Sequence, residues 1–249
     1  MSVGESATAD SRVLLTATTL RTQLRALARP RDAAVLQRFF KTGKGEYGEG
    51  DVFIGVRLPE LRTLCREYRG IAVSEISQLL RSRVHEERLL ALLLLVDAFH
   101  RSGVTEQRKI YNLYLASTAF INNWDLVDSS AHHIVGAWLE GRSRAPLRRL
   151  ARSSSVWERR IATIATFHFT RRGEFEDTLL VADRLLNDPH DLIHKAVGWM
   201  LREIGNRNRT ALRRFLKDRY RRMPRTMLRY AIEKLPEKER LAYLRGAIS

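Results

Sequence analysis

The chain has 249 residues, with 44 Lys and Arg against 28 Asp and Glu, a formal net charge of +16. Hydrophobic residues make up 44%, enough apolar surface for a packed core, so wholesale disorder is excluded. A single cysteine, Cys65, rules out an intramolecular disulfide framework, and the longest apolar run, Leu89 to Val96, falls well short of the ~20 residues a membrane span needs. The first residues carry Glu5 and Asp10 and no apolar stretch of the signal-peptide kind, so a cytosolic protein is expected.

In chain order, residues 1–10 read as a loose tail and residues 11–249 as one helical domain. Val13, Leu14, Leu20, Leu24 and Leu27 predict a helix over Arg12–Ala28, and Pro59 opens another with Leu58, Leu61 and Leu64 on its apolar side. Amphipathic segments follow at Thr105–Ala119, Glu174–Leu186 and Arg209–Arg222. Each precedes a second helix, and these second helices are predicted to begin near His85, Asn122, Val156, Asp191 and Arg225, at spacings of 37, 34, 35 and 34. Gly103, Gly141, Gly173 and Gly205 punctuate the same period. Two helices per ~35 residues predict an all-α solenoid of HEAT-like pairs, with an irregular helical bundle as the alternative.

The charge is uneven along this frame. Residues 1–140 carry 18 basic and 16 acidic side chains, residues 141–249 carry 26 and 12. A one-sided basic field favours a polyanion, nucleic acid above all, against the plainer reading of a solubilising surface. The repeat register also aligns equivalent positions. Residues 88, 124, 160, 195 and 229 read Arg, Trp, Arg, Lys and Arg; one turn later, 128 and 199 give Asp and Trp. With neighbouring helices ~8–10 Å apart, cations and indoles would alternate along one face, as suits a phosphate backbone. The tryptophans could equally be core anchors, and Asp128 could simply pair with Arg160.

Two motifs carry little. Gly43-Lys44-Gly45-Glu46-Tyr47-Gly48 matches the dinucleotide-binding spacing, but a helical segment precedes it, and Glu46, Glu49 and Asp51 would repel phosphates. His190 and His194 stand four apart with no third ligand nearby, and His190 after Pro189 suits a helix start, so no metal is expected.

Trp124 and Asp128 are also four apart and share a helical face. Here the sequence resembles the bacterial AlkD-type alkylpurine DNA glycosylases, built from HEAT-like repeats, over roughly residues 30–247. The resemblance runs through Phe39-Phe40-Lys41-Thr42-Gly43, through Phe53-Ile54-Gly55-Val56-Arg57 and Asn123-Trp124-Asp125-Leu126-Val127-Asp128. It continues in Trp157-Glu158-Arg159-Arg160, in His194 to Glu203 and in the Arg229 helix. It implies a catalytic aspartate at Asp128 with Trp124, Arg160 and Trp199 around it. Phe39 stands where the best-known members have a tyrosine. The implied activity is hydrolytic release of N3- and N7-alkylated purines from duplex DNA, without a base-flipping pocket, lyase step, metal or other cofactor. The protein would act as a monomer in the bacterial cytoplasm, associated with the nucleoid. Lys195, Arg229, Arg202 and Arg88, with Phe39, are the expected DNA contacts. The competing expectation is a non-catalytic HEAT scaffold on damaged or branched DNA, with RNA as a further polyanion for the same face.

Overall fold

The computed structural model describes residues 15–248. The expected tail over residues 1–10 lies outside them, as do Val13 and Leu14 of the first expected helix. Among the described residues the chain is helical throughout, and its only β feature is an isolated bridge between Val52 and Val84. In order, the helices are α1 (Ala17–Ala26), α2 (Pro30–Phe39), α3 (Leu58–Glu67), α4 (Val73–Leu80), α5 (His85–Arg101), α6 (Val104–Ala116), α7 (Trp124–Asp128) and α8 (Ala145–Leu150). They continue as α9 (Val156–Ala165), α10 (Phe167–Thr170), α11 (Glu176–Arg184), α12 (Asp191–Arg207), α13 (Arg209–Lys217), α14 (Arg225–Ile232) and α15 (Glu237–Arg245).

Four of the five expected second helices start where the repeat register places them, at His85, Val156, Asp191 and Arg225. Stacked in sequence, α5, α7, α9, α12 and α14 form one inner layer, each touching the next. On the outside, α4 packs on α5, α8 on α9 and α11 on α12, the arrangement of an α-solenoid of helix pairs. The inner helices are the more buried: α12 hides Leu192, Ile193, Ala196, Val197, Met200, Leu201 and Ile204. One hydrophobic cluster runs from Ala17 to Tyr243.

Capping explains the inner starts. Asn123 Oδ1 accepts from the Trp124 N–H at 2.8 Å, Ser155 Oγ from Glu158 at 3.4 Å and His190 Nδ1 from Leu192 at 3.1 Å. The Asn123 cap is why α7 begins at Trp124 rather than Asn122. His190 is thus spent on starting α12, and among the described residues no group of three or more metal-ligating side chains exists.

The inner helix of the second repeat is interrupted. Ser130 Oγ donates to the Leu126 carbonyl at 2.5 Å and meets the Tyr114 hydroxyl at 2.9 Å, so this turn is diverted from the ordinary ladder. A π-helical turn follows over His132–Gly136. Asp128 therefore ends a five-residue helix rather than sitting inside a long one.

The glycine-rich segment between α2 and α3 is a loop, as its spacing and charges suggest, and it folds over the start of α5. Gly55 adopts φ 84° where a Cβ would lie 2.2 Å from the Arg29 carbonyl, so only glycine fits. Buried Glu86, in the first turn of α5, accepts from the Gly55 N–H at 2.8 Å and the Ile54 N–H at 3.1 Å.

Candidate nucleic-acid interface and active site

A cleft of about 620 Å³ opens along the inner layer between the α2 loop and α14. Seven of the nine residues singled out from the sequence line it: Phe39, Trp124, Asp128, Arg160, Lys195, Trp199 and Arg202. At its floor Arg160 grips Asp128 in a two-pronged fork, Nε donating to Oδ1 at 2.9 Å and Nη2 to Oδ2 at 2.7 Å. The third guanidinium nitrogen donates to the Leu192 carbonyl at 2.6 Å, tying α7, α9 and α12 together. Asp128 remains 18% exposed while Arg160 is only 6% exposed. The expected alternative, Asp128 pairing with Arg160, is therefore realised, and the pair faces the cleft. Arg160 is too buried to reach a phosphate as well; its part is to aim the carboxylate.

Burial is the largest influence on Asp128 and lifts its pKa above the ordinary 3.8; Asp125 adds to this, and Arg160 opposes it. The carboxylate keeps one unshared acceptor site per oxygen beyond the fork, available to a cationic or hydroxylic partner in the cleft.

The two indoles are both anchors and walls. Trp124 stacks on Phe40 with centroids 5.2 Å apart and 20° between planes, and Phe40 stacks in turn on Phe53 at 4.9 Å. Trp199 lies 6.2 Å from Phe167 and donates from Nε1 to Glu203 at 3.3 Å. Phe39, 62% exposed, stands edge-on to Trp124 at 6.0 Å and forms the rim.

Among the expected DNA contacts, Lys195 is half-buried and its ammonium sits 2.7 Å from Asp191, which raises its pKa. Arg202 pairs with Glu233, and Arg229 is exposed on α14 just outside the cleft lining. Arg88 is a correction. Its side chain is 4% exposed, bonded to Asp51, to Asn122 at 3.1 Å and to the Ser82 carbonyl at 2.9 Å. The register places it on the right helix face, but the glycine loop covers that end of α5, so it holds structure rather than DNA.

Three further lining residues escaped the sequence reading. Tyr47 faces the Trp124 indole from the glycine loop, and burial raises its pKa. Lys41, at φ 52°, carries an exposed ammonium to the rim, and Tyr230 closes the far side. Tyr47 and Lys41 lie in the irregular loop, beyond the reach of helical periodicity, and their signal was proximity to the Phe39 motif.

A family model described as DNA alkylation repair enzyme matches residues 20–235. The chain belongs to that family. Among solved structures, the fold is similar to a chain titled "Predicted DNA alkylation repair enzyme from Enterococcus faecalis", at 18% identity and a TM-score of 0.66, covering 84% of this chain and 97% of that one. No curated protein matches it. Family membership makes DNA the substrate class and alkylation repair the role. Among the described residues no helix is long and apolar enough to cross a membrane.

Proposed function

We propose that the protein is a monofunctional DNA glycosylase that hydrolyses the N-glycosidic bond of cationic N3- and N7-alkylated purines in duplex DNA. The observation that carries this reading is Asp128, forked by Arg160 and set between two indoles in an open cleft. Alkylation at N3 or N7 makes the purine cationic, so it leaves as a neutral base with little need of a general acid. Positive charge then grows on the deoxyribose. A fixed carboxylate beside it, with π-faces on either side, stabilises that charge without reorganising. At ~4 Å and an effective dielectric of ~20 the attraction is about 4 kcal/mol, roughly three powers of ten in rate if expressed only in the transition state.

Asp128 also orients the attacking water through its unshared acceptor sites. Trp124 and Trp199 flank the sugar, and Lys41, Lys195, Arg202 and Arg229 take the phosphates. Lys195 is kept protonated by Asp191, the opposite of what a Schiff-base nucleophile requires, which supports hydrolysis without a lyase step. The cleft opens along the inner helices rather than enclosing a base, in keeping with selection by the lesion's own lability.

Release of 3-methyladenine and 7-methylguanine from methylated duplex DNA tests the reading. The wild type is expected to release both, and Asp128→Asn to lose at least about a hundredfold, about 2.7 kcal/mol. DNA binding with no release by either protein would make it a scaffold instead, and equal release by both would remove Asp128 from the mechanism.

A further inference from the structure

Behind the cleft lies a buried cluster that the proposed chemistry does not use. His85, 1% exposed at the start of α5, is clamped between two carboxylates: Nδ1 is 3.0 Å from Asp51 Oδ2 and Nε2 is 2.8 Å from Asp125 Oδ2. Ionised carboxylates can only accept, so both ring nitrogens carry protons and the ring is an imidazolium. Burial alone would strip that proton, but Asp125 and Asp51 outweigh it and hold the pKa at about 9. Asp51 is shared with Arg88, whose guanidinium completes the pairing on the loop side. The Phe53 ring stacks on His85 at 4.3 Å and seals it from water.

Asp125 is the link to the site. It lies three residues before Asp128 in α7, and its Oδ1 accepts from the Leu126 N–H at 2.9 Å. Side chains three apart on a helix are neighbours at ~5–6 Å, so an uncompensated Asp125 charge bears directly on Asp128. Facing Asp128 from the other packed elements are Arg160 of α9 and the Tyr114 hydroxyl of α6. Facing His85 are Asp51, Arg88 and Asp125.

We propose that His85 is a positioning residue for the Asp128 site: its imidazolium offsets part of the Asp125 charge and docks α7 on the glycine loop, so that Asp128 stays ionised and aimed. The inference rests on the glycosylase reading for its consequence in catalysis, but the electrostatic link can be read without any activity.

The test is a titration of the Asp128 carboxyl by carbon-13 NMR in the full chain, assigned by the resonance missing from Asp128→Asn. His85→Gln is expected to raise the Asp128 midpoint by removing the cation that offsets Asp125, whose own charge at ~6 Å is worth about half a pH unit even at the dielectric of water. Asp125→Asn is expected to lower it, and the double variant to return it close to wild type. The acid limb of 7-methylguanine release moves in step. A folded Asp125→Asn protein with an unmoved midpoint overturns the proposal, even if His85→Gln does not fold. Shifts of the same sign in His85→Gln and Asp125→Asn overturn it too, since removing a cation and removing an anion act oppositely whereas mere loosening moves both the same way. If the midpoints move as expected but the wild type releases no base, the electrostatic link holds and the glycosylase reading fails.

Discussion

Asp128 and Arg160 are a pair in which each residue decides what the other can do. The buried guanidinium turns all three of its nitrogens to the carboxylate and the Leu192 carbonyl, so it fixes direction, and the partly exposed carboxylate faces the cleft. Because burial raises the Asp128 pKa, base release should fall as pH drops through a midpoint above 3.8, the ordinary value for an aspartate. Arg160→Lys replaces a planar fork by a point charge that cannot hold both oxygens. It is expected to move that acid limb further upward and to slow release at neutral pH, with duplex affinity little changed. A pH–rate profile of both proteins, with binding measured alongside, decides it; an unmoved limb would mean that Arg160 does not tune Asp128. At this scale the sequence was informative where helical register governs and silent elsewhere. Spacing brought Trp124, Asp128, Arg160 and Trp199 to one face, but it left open whether Asp128 paired inward or faced a partner, and the fork does both. Arg88 obeyed the same register, yet its exposure depended on a loop that no periodicity describes.

Helices α12 and α14 are held together by a close approach that places Trp199. A Cβ on Gly198 would lie 2.5 Å from both the Met227 carbonyl oxygen and the Tyr230 Cβ, contacts that backbone cannot relieve cheaply. Gly198→Ala should therefore force the two helices apart, costing about 1–3 kcal/mol and lowering Tm by several degrees. It displaces Trp199, the next residue, and base release should drop beyond the loss of stability. Gly103→Ala is the control, since nothing lies within 4 Å of its Cβ position. Thermal unfolding and base release on both variants check it, and equal behaviour would show that α14 gives way freely. The inner helices were legible because caps and apolar period agree, as at Val156 with its Ser155 cap. The segment after Asp128 was not, because Ser130 and the π turn over His132–Gly136 respond to the packed Tyr114 hydroxyl rather than to local propensity. Short helices such as α8 and α10 have too few turns to show a period at all.

The net charge of +16 is spread over the whole molecule, and salt screening leaves a duplex to feel chiefly the cations beside it. Several arginines beyond residue 140 are tied to acids away from the cleft, in pairs the net charge already counts: Arg213 with Glu239 at 2.8 Å, Arg219 with Asp183 at 2.6 Å and Arg159 with Asp188 at 2.6 Å. Under the proposed reading Lys41, Lys195, Arg202 and Arg229 meet phosphates: the first three line the cleft, and Arg229 is exposed on the same helix as Tyr230. Lys195 and Arg202 exchange their Asp191 and Glu233 partners for the phosphate. Each neutralised phosphate releases counterions, so four contacts predict a log–log slope of binding against salt of about −3 to −4. A slope near the full net charge would require cations well away from the cleft to join in, and a slope near zero would remove the electrostatic interface altogether. Anisotropy of an unmodified duplex between about 50 and about 200 mM salt distinguishes these cases. Arg229→Ala and Lys41→Ala should each flatten the slope by about one, uniformly across sequences, as contacts to phosphate rather than to bases do. If Lys41→Ala alone leaves the slope intact, the glycine loop stands clear of the DNA backbone.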